Sequence, residues 1–509
     1  MEARLSQHRA SGPSVSFMSQ MRKLGLRYAF LLHRWLGITL GLMMGLWCLS
    51  GMVMLWKTWP APEAERVGLT HEILTFRNPP VIPRLEDRYR SLRLTMAGGI
   101  PVLEAQALSG ASRHYDLRNG RPLTLSPFAL RADAERYAAL SGTPGAAHFE
   151  GLRRNDQWIL NTKDHVQGFY RYAIDGSARR LLYLSPDNGD VVQDTTGRTR
   201  FWSWLGPIPH WLYPSLLKRH QRLWANVLID LSCLGVILTA LGLWIGVRRV
   251  HTGHRVSPYR GLHLWHHLCG LVFGGMLLSW ITTGLLTMNP AGLLARQPNP
   301  GWVDRFEGSV DMAELRTAIA ALIAHPERHF RDVVLTGQGG SPALSVMTET
   351  GASTRLSLSL EAATPSVIAL KERALTSGLD ARVDQITQDD SYYFSTRHRL
   401  RHFPAYRVIG PDETRLYLDS RTGNTVLVAE SNAKATRWVV YGPHDLDFFA
   451  WLRRPFARLF LITPLLVGVS SLSLLGVAIG LTRLSHRARR GRAQRKSRNA
   501  PRDRTSSSR

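Results

Sequence analysis

Two pairs of histidines recur at equivalent positions of the chain, and imidazole is a common ligand of transition metals. His33 opens the apolar stretch HRWLGITLGLMMGLWCLSGMVM, and His266 opens the similar stretch HHLCGLVFGGMLLSWITTGLLTM in the second half of the chain. Glycines follow each histidine at four-residue intervals, which places them on nearly one face of a helix. Each stretch therefore presents an imidazole above a narrow surface that a flat group or a neighbouring helix can approach.

The second pair consists of His210 and His444, which lie in GPIPHWLYP and YGPHDLDF and are separated by almost the same length of chain as the first pair. Each segment precedes an apolar stretch, and its glycine and proline residues restrict how the chain enters that stretch. Two equivalent imidazoles could share one metal ion here as well. The alternative is a structural histidine held in an interfacial turn.

Other histidines compete with both pairs. His263 and His267 are four residues apart and share a helix with His266. The repeat favours His266, with His263 as the alternative ligand. His220 lies nearer to the second apolar stretch than His210 does, but an arginine occupies the equivalent position of the other half. A lone histidine at the start of an apolar helix can also be an interfacial residue without a ligand.

Four apolar stretches carry or follow these histidines in a chain of 509 residues with a formal charge of +26. They are Tyr28–Trp56, Leu223–Val247, Tyr259–Met288 and Phe456–Leu481. Each meets the length of about 20 residues that crosses a hydrocarbon core of about 30 Å. The first is too long for a cleaved signal peptide, and its repeat in mid-chain cannot be one. The sequence predicts an integral protein of a lipid bilayer with four transmembrane helices.

Arginine and lysine residues predict the orientation of these helices. They occur in residues 1–27, in the link 248–258 and in the tail 482–509. By the positive-inside rule these segments and both termini lie in the cytoplasm, and residues 57–222 and 289–455 lie outside. Topology and attraction to anionic lipid explain the basic tail, so no nucleic-acid partner is expected.

Both outer segments are predicted to combine strands and helices. Short alternating runs begin near Ser91, Pro127–Leu140 predicts a helix, and further strands are expected at Trp158–Leu160, Gly168–Ile174 and Leu181–Leu184. The second outer segment repeats the first at the offset that relates His210 to His444, with matched positions that include Asp156/Asp390, Phe169/Phe403, Tyr172/Tyr406, Tyr183/Tyr417 and Gly189/Gly423. The predicted fold class is an α+β membrane protein with a four-helix bundle, built by an internal duplication whose halves are parallel repeats.

Several motifs resemble those of the PepSY-associated transmembrane family: LHRWLG, LHLWHHLCG, SYYFSTRHRLRHFPAYRV, YLDSRTGNT and GPHDLDF. The resemblance covers nearly the whole chain apart from the tails, and it implies two extracytoplasmic PepSY-like domains. Members that resemble this chain include bacterial inner-membrane reductases of ferric siderophores, which carry two b-type haems. The soluble PepSY domain is also often linked to peptidase inhibition.

A haem b in a helical bundle needs neutral imidazoles on facing helices that point at one iron. We therefore expect His33 and His266 to bind one haem near the cytoplasmic side, and His210 and His444 to bind a second near the outer side. Two haems at different depths are what electron transfer across a membrane requires.

Several basic residues lie near the outer pair, although the positive-inside rule favours basic residues on the cytoplasmic side. Their presence suggests an anionic ligand. They are Lys218, Arg219, Arg222, Arg453, Arg454 and Arg458. Arg219 and Arg454 are expected to bind haem propionates or an acidic metal chelate, because arginine forms bidentate pairs with carboxylates. Lipid phosphate is the alternative ligand.

Polar residues inside the apolar stretches have structural and functional interpretations. A carboxylate in a membrane is costly, and Asp230 is expected to hydrogen bond a serine or threonine of a neighbouring helix. A bond to an imidazole or a role in proton movement is the alternative. Cys48, Cys233 and Cys269 are each expected to be small buried side chains.

His398 and His402, in STRHRLRHF, lack histidine counterparts in the first half. They could bind a substrate or form a solvated edge. The chain contains no recognisable flavin, nicotinamide or nucleotide motif, so electrons would come from a quinol or a separate cytoplasmic reductase.

The sequence thus predicts a di-haem b protein of the bacterial inner membrane that reduces an extracytoplasmic substrate, with ferric siderophore iron as the candidate. Hard oxygen ligands hold Fe(II) more weakly than Fe(III), so reduction would release the metal. The alternative is a non-enzymatic membrane protein whose PepSY-like domains bind a peptide, a peptidase or another partner.

Overall fold

A computed structural model describes the backbone of residues 15–84, 88–159, 168–250, 256–338, 341–396 and 399–498, and side chains between residues 24 and 486 of these ranges. Its α-helices are α1 (Val15–Met54), α2 (Ala64–Thr70), α3 (Arg131–Leu140), α4 (Gly197–Leu205), α5 (Pro207–His210), α6 (Ser215–Lys218), α7 (Gln221–Arg248), α8 (Leu262–Thr287), α9 (Gly301–Glu307), α10 (Met312–Ala324), α11 (Val367–Thr376), α12 (Ser431–Thr436), α13 (Gly442–Asp445), α14 (Pro455–Ala457) and α15 (Thr463–Arg498). Wider π-type turns occupy Arg437–Tyr441 and Arg458–Ile462.

Of the strands of the described residues, the first eight lie in the first outer segment and the other seven lie in the second. They are β1 (Tyr89–Ala97), β2 (Ile100–Ala107), β3 (Ser112–Asp116), β4 (Arg121–Pro122), β5 (Ala147–Arg153), β6 (Phe169–Ile174), β7 (Arg180–Leu184), β8 (Val191–Thr195), β9 (Phe330–Thr336), β10 (Ala343–Thr348), β11 (Ser353–Leu356), β12 (Arg382–Ile386), β13 (Ala405–Ile409), β14 (Arg415–Asp419) and β15 (Thr425–Ala429).

Four helical segments of the described chain are long and apolar enough to cross a membrane. They are Leu24–Met54, Gln221–Arg248, Leu262–Thr287 and Pro455–His486. Their positions agree with the four expected stretches, and their ends differ by a few residues. Long runs without charge favour helices in lipid because a helix satisfies every backbone hydrogen bond within itself.

The four membrane helices form a bundle in which α7 and α15 each pack against both α1 and α8. Therefore α1 and α8 lie across the bundle from each other. The bundle core contains Met44, Leu238, Leu277 and Val469. Glycines let the helices approach closely, as is typical of packing in lipid.

Residues 57–222 and 289–455, called the outer segments after their expected location, both contribute to a seven-stranded sheet. Its strand order is β11-β10-β9-β1-β2-β3-β4. The first outer segment supplies β1 to β4 and the second supplies β9 to β11. Strand β1 pairs antiparallel with β9, so that Leu94 lies opposite Val333. The two outer segments are therefore joined through one sheet, which the sequence did not predict.

An ion-pair network whose members are mostly buried reinforces this join. The Arg93 guanidinium on β1 donates to Asp332 on β9 at 2.9 Å and to Asp190, from the turn before β8, at 2.8 Å. A ring nitrogen of His71 lies 2.7 Å from the Asp190 carboxylate. Burial alone would raise the pKa of Asp190, but Arg93 and His71 outweigh it and hold that pKa well below its usual range.

Each outer segment also has a four-stranded antiparallel sheet of its own, with the orders β5-β6-β7-β8 and β12-β13-β14-β15. The expected strands at Gly168–Ile174 and Leu181–Leu184 are confirmed as β6 and β7. The helix expected at Pro127–Leu140 begins later, at Arg131. In the strand expected at Trp158–Leu160, the first two residues lie in a turn and a loop, and the third lies outside the described residues.

Strand pairing corrects one part of the repeat alignment. Arg171 lies opposite Tyr183 and binds Asp156 at 2.8 Å. In the second half, Arg407 makes the corresponding contacts: it lies opposite Tyr417 and binds Asp390 at 2.9 Å. The offset between β6 and β13 is thus two residues larger than the offset that relates Asp156 to Asp390 and Tyr183 to Tyr417. The expected matches Phe169/Phe403 and Tyr172/Tyr406 are therefore wrong by those two residues.

Candidate functional site

His33 on α1 and His266 on α8 face each other inside the bundle. The centres of the two rings are 6.4 Å apart, and their planes are inclined by 41°. A bond between a metal and an imidazole nitrogen is about 2.0 Å long, so two such bonds and the radii of two rings together span roughly 6 Å. The structure thus brings together the pair that the repeat predicts, at a spacing that fits one metal between them.

A backbone carbonyl of the neighbouring helix orients each of these imidazoles. Nδ1 of His33 lies 3.1 Å from the carbonyl oxygen of Leu238 on α7. Nδ1 of His266 lies 3.2 Å from that of Leu472 on α15. Because a carbonyl only accepts, Nδ1 carries the proton and Nε2 keeps its lone pair. Metal-binding histidines usually donate their other ring N–H in this way.

Glycines make room for both rings. A methyl group at Gly242 would lie 2.7 Å from Cε1 of His33, and one at Gly476 would lie 3.2 Å from Cε1 of His266. Carbon atoms pack best at about 3.5–4.0 Å. A larger residue at position 242 would therefore displace the His33 ring, and one at position 476 would crowd His266.

A cavity of about 90 Å³ lies beside His33, and all four bundle helices line it. Six of its lining residues are glycines, namely Gly37, Gly41, Gly242, Gly270, Gly274 and Gly476. A pocket for a drug-sized ligand measures roughly 300–1,000 Å³, so a tetrapyrrole requires side chains to move. Leu243 is one of them, because it lies directly over Gly274. The imidazole donors fit haem b, and the glycine backbone offers the flat surface once such side chains shift.

His210, the last residue of α5, packs against the outer end of α1. Its Nδ1 lies 3.2 Å from the carbonyl oxygen of Trp47 and 3.3 Å from the hydroxyl of Ser50. A methyl group at Gly51 would lie 3.2 Å from Cε1 of His210. The Ser50 hydroxyl donates its own proton to the carbonyl of Leu46. It therefore accepts from Nδ1, and Nε2 keeps its lone pair.

His444 makes the equivalent contacts with the outer end of α8. Its Nδ1 lies 3.1 Å from the hydroxyl of Thr283, which donates to the carbonyl of Ser279 at 2.8 Å. The indole of Trp280 donates to the carbonyl of His444 at 3.0 Å, and Gly284 lies next to the ring. Positions 47, 50 and 51 of α1 correspond to 280, 283 and 284 of α8.

Burial keeps the outer imidazoles neutral, the form that binds metal. Burial, and to a smaller extent the nearby His444, lowers the pKa of His210 to about 4. Burial also lowers the pKa of His444.

The other three histidines considered as ligands do not belong to either pair. His267 is buried with both ring nitrogens engaged, at 2.8 Å from the Ser257 hydroxyl and 2.9 Å from the carbonyl of Gly246. It joins helices and has no free nitrogen for a metal. His263 is exposed at the end of the bundle, and His220 is exposed at the start of α7.

The basic residues near the outer pair fall into two groups. Arg219 and Arg454 are exposed, and nothing in the structure tests their expected propionate contacts. Lys218 is buried, donates to the carbonyl of Ile159, and lies 5.1 Å from the centre of the Tyr213 ring. Burial lowers the pKa of Lys218 to about 8. Arg453 donates to Asp389.

Three expectations about polar residues need comment. Asp230 is exposed on the outward face of α7, so the expected bond to a serine or threonine of a neighbouring helix is not found among the described residues. Cys48 is buried and Cys269 is half-buried, but Cys233 is exposed, against expectation. His402 is exposed and His398 lies outside the described residues.

The sequence did not reveal which groups orient the histidines. The carbonyls of Leu238 and Leu472 are backbone groups, which every residue has, so the residue types at these positions do not reveal their role. Ser50 and Thr283 did carry a signal, because a hydroxyl residue before a glycine recurs at the same offset as His33 and His266.

The comparisons with known proteins agree with the motifs. No curated protein matches the chain. Residues 30–479 match the family described as the PepSY-associated TM region. This match takes in most of the first and last membrane helices, all of the other two, both outer segments and all four paired histidines. The chain therefore belongs to the PepSY-associated transmembrane family.

Proposed function

We propose that the protein is a di-haem b electron carrier of a bacterial inner membrane, with both termini in the cytoplasm. It passes electrons from a quinol or a cytoplasmic reductase to an acceptor outside, for which ferric iron bound to a siderophore is the candidate. The observation that carries the proposal is that Nδ1 is engaged in all four histidines, whereas Nε2 has no hydrogen-bond partner among the described residues.

The spacing of the two pairs along the bundle suits transfer across a membrane. On α1, His33 is seventeen residues from Ser50, the contact of His210, and on α8 the same number separates His266 from Thr283, the contact of His444. Seventeen helical residues rise about 25 Å, most of a hydrocarbon core of about 30 Å. Haem b at each pair would supply one-electron chemistry at two depths of the bilayer.

The chain's own residues hold and tune these positions. Carbonyl and hydroxyl acceptors on Nδ1 fix the ring orientation and raise the basicity of the imidazoles, which favours the oxidised state of a bound iron. The cavity beside His33 is lined mostly by glycines and apolar side chains, which makes the surroundings of the inner pair apolar. We infer that an internal duplication produced the two half-sites, because equivalent residues of each half contribute one imidazole to each pair.

Spectroscopy of the purified protein tests the proposal. We expect about two non-covalent, low-spin haems per chain. When the protein is reconstituted into liposomes, these haems should be reducible from the cytoplasmic side, with reduction of a ferric siderophore at the outer side. His33→Ala and His266→Ala should each remove the same haem, and His210→Ala and His444→Ala should each remove the other. His267→Ala is the matched control, and it should keep both haems because neither nitrogen is free.

Absence of a Soret band in the purified protein would refute the proposal. Binding of a peptide or peptidase by the outer domains would then be the better hypothesis. Loss of different haems in His33→Ala and His266→Ala would show that the facing pair does not share one iron.

A further inference from the structure

The outward face of α7 carries a row of exposed residues spaced alternately three and four apart. They are Leu223, Asn226, Asp230, Cys233, Ile237, Ala240, Trp244 and Val247. This is the heptad spacing of two helices that pack at a small crossing angle of about +20°. The opposite face of α7 is occupied by α1 and α8, so the row is available to another helix.

The residue types in the row differ from those of an ordinary lipid-facing surface. Asn226, Cys233 and Ala240 recur at heptad intervals, and two of them are small residues that allow helix backbones to approach closely in a membrane. The equivalent surface of α15 and the turn before it provides an internal comparison. Its exposed positions hold bulky apolar side chains, namely Phe460, Val467, Leu474 and Leu481.

Two polar side chains make this face costly to leave in contact with lipid. Asp230 lies nine residues after Gln221, the start of α7, which is about 14 Å along the helix axis. Asn226 lies one turn closer to that start. Both side chains are exposed, and neither makes a hydrogen bond or ion pair with any residue that the structure describes. A carboxyl group at such a depth in hydrocarbon is unfavourable without a polar partner.

We propose that this face of α7 is a homodimer interface, formed with the same face of α7 in a second copy of the chain. Two copies in one membrane share their orientation, so their α7 helices run parallel about a two-fold axis, and identical positions meet.

The two polar residues of the row are self-complementary in such a pair. Two Asp230 carboxyl groups that share a proton bind each other, because one donates and the other accepts, and two Asn226 amides can do the same. A polar residue in a heptad row, asparagine in particular, also fixes the register of a parallel helix pair. The α15 surface, with Phe460 at the position of Asn226, has no such groups.

The native cysteine in the row provides the first test. At a two-fold interface the two Cys233 side chains meet, and a disulfide forms when the Cβ atoms are about 3.5–4.5 Å apart. Membranes that contain the full chain, treated with copper phenanthroline, should yield a covalent dimer of the 57.2 kDa chain. Cys233→Ser should abolish it.

The cysteine-substituted chain then supplies a matched comparison. In the Cys233→Ser background, Ala240→Cys should restore cross-linking, because it lies in the same row. Val467→Cys should not, although Val467 is the exposed equivalent of Cys233 on α15. Equal cross-linking at positions 240 and 467, a wild-type chain that stays monomeric, or a cross-link only to a different protein would overturn the proposal.

The polar residues provide a second, independent test, by energy transfer between labelled chains in liposomes. Asp230→Leu and Asn226→Leu should each weaken dimerisation about 3- to 30-fold, the range expected for one hydrogen bond between membrane helices. Asp230→Asn should stay close to the wild type because the amide also donates and accepts. Unchanged dimerisation in both leucine variants would overturn the role of the polar pairs.

Discussion

The acceptor on Nδ1 is the residue-scale feature that distinguishes the four candidate ligands. Those of His33 and His266 are backbone carbonyls, which substitution cannot remove. His210 has two acceptors, the Trp47 carbonyl and the Ser50 hydroxyl. His444 likewise has two, the Thr283 hydroxyl and the backbone of Trp280. The outer pair is therefore the one whose electronic properties a side-chain substitution can change.

Substitution of Thr283 should change the outer redox centre. Thr283→Val removes one of the two acceptors of His444, which makes that imidazole less basic. The midpoint potential of the proposed outer haem should therefore rise by up to about 60 mV, a tenfold change for one electron. Redox titration followed by absorbance measures this.

Two variants serve as controls for the Thr283 experiment. Thr283→Ser should behave as the wild type, because it keeps the hydroxyl. Ser50→Ala should have a comparable effect, because it removes the equivalent hydroxyl acceptor of His210 and leaves the Trp47 carbonyl in place. A shift in the inner potential alone would contradict the assignment.

A methyl group at Gly242 should selectively disturb the inner pair. Gly242→Ala places a carbon 2.7 Å from Cε1 of His33, and such overpacking costs about 1–3 kcal/mol. We expect loss or altered ligation of the inner haem, measured by haem content and electron paramagnetic resonance. Gly246→Ala is the control, because its nearest neighbour would lie at 3.6 Å. A normal inner signal in Gly242→Ala would contradict the position of His33.

The sequence predicts the candidate ligands better than the groups that accept hydrogen bonds from them. His33, His266, His210 and His444 are recognisable because imidazoles recur at equivalent positions of the two halves. The acceptor atoms are not, since two are backbone carbonyls whose position depends on how α7 and α15 pack.

At the scale of elements, the join between β1 and β9 holds the two outer segments together. Arg93 is its electrostatic centre, with Asp190 and Asp332 on either side. Removing one partner of a buried ion pair is costly because it leaves uncompensated charge. Exposed pairs contribute far less.

Substitution at Arg93 should destabilise the outer part strongly. Arg93→Leu should lower the free energy of unfolding by about 3–5 kcal/mol, followed by tryptophan fluorescence in denaturant. Arg382→Ala breaks the exposed pair with Glu413 and should cost at most about 1 kcal/mol. Equal effects of the two substitutions would show that the network does not stabilise the join.

The membrane helices and the strands β6 and β7 were predictable because hydropathy and alternation are local patterns. The pairing of β1 with β9 was not, since any exposed strand edge can pair with another and the choice depends on distant packing. The two-residue shift between β6 and β13 was also hidden, because alternating aromatic residues match at more than one offset.

At the scale of the molecule, the distribution of basic residues predicts the orientation of the chain in the membrane, and reporter fusions test it. Alkaline phosphatase fused after Gly189 or Gly423 should be active, because both positions belong to outer sheets. Fused after Arg495, at the end of α15, it should be inactive. Activity at Arg495 would reverse the topology and with it the sides assigned to the two histidine pairs.

The shared sheet also has a consequence for biosynthesis. Strand β1 ends at Ala97 and its partner β9 begins at Phe330, and two membrane helices must insert between them. Because synthesis proceeds at about 5–20 residues per second, the edge of β1 stays unpaired for roughly 12–50 s before β9 is made. An unpaired strand edge invites association with other chains. The nascent first half should therefore need a holding chaperone on the outer side, and its synthesis alone should lead to degradation that co-expression of the second half prevents.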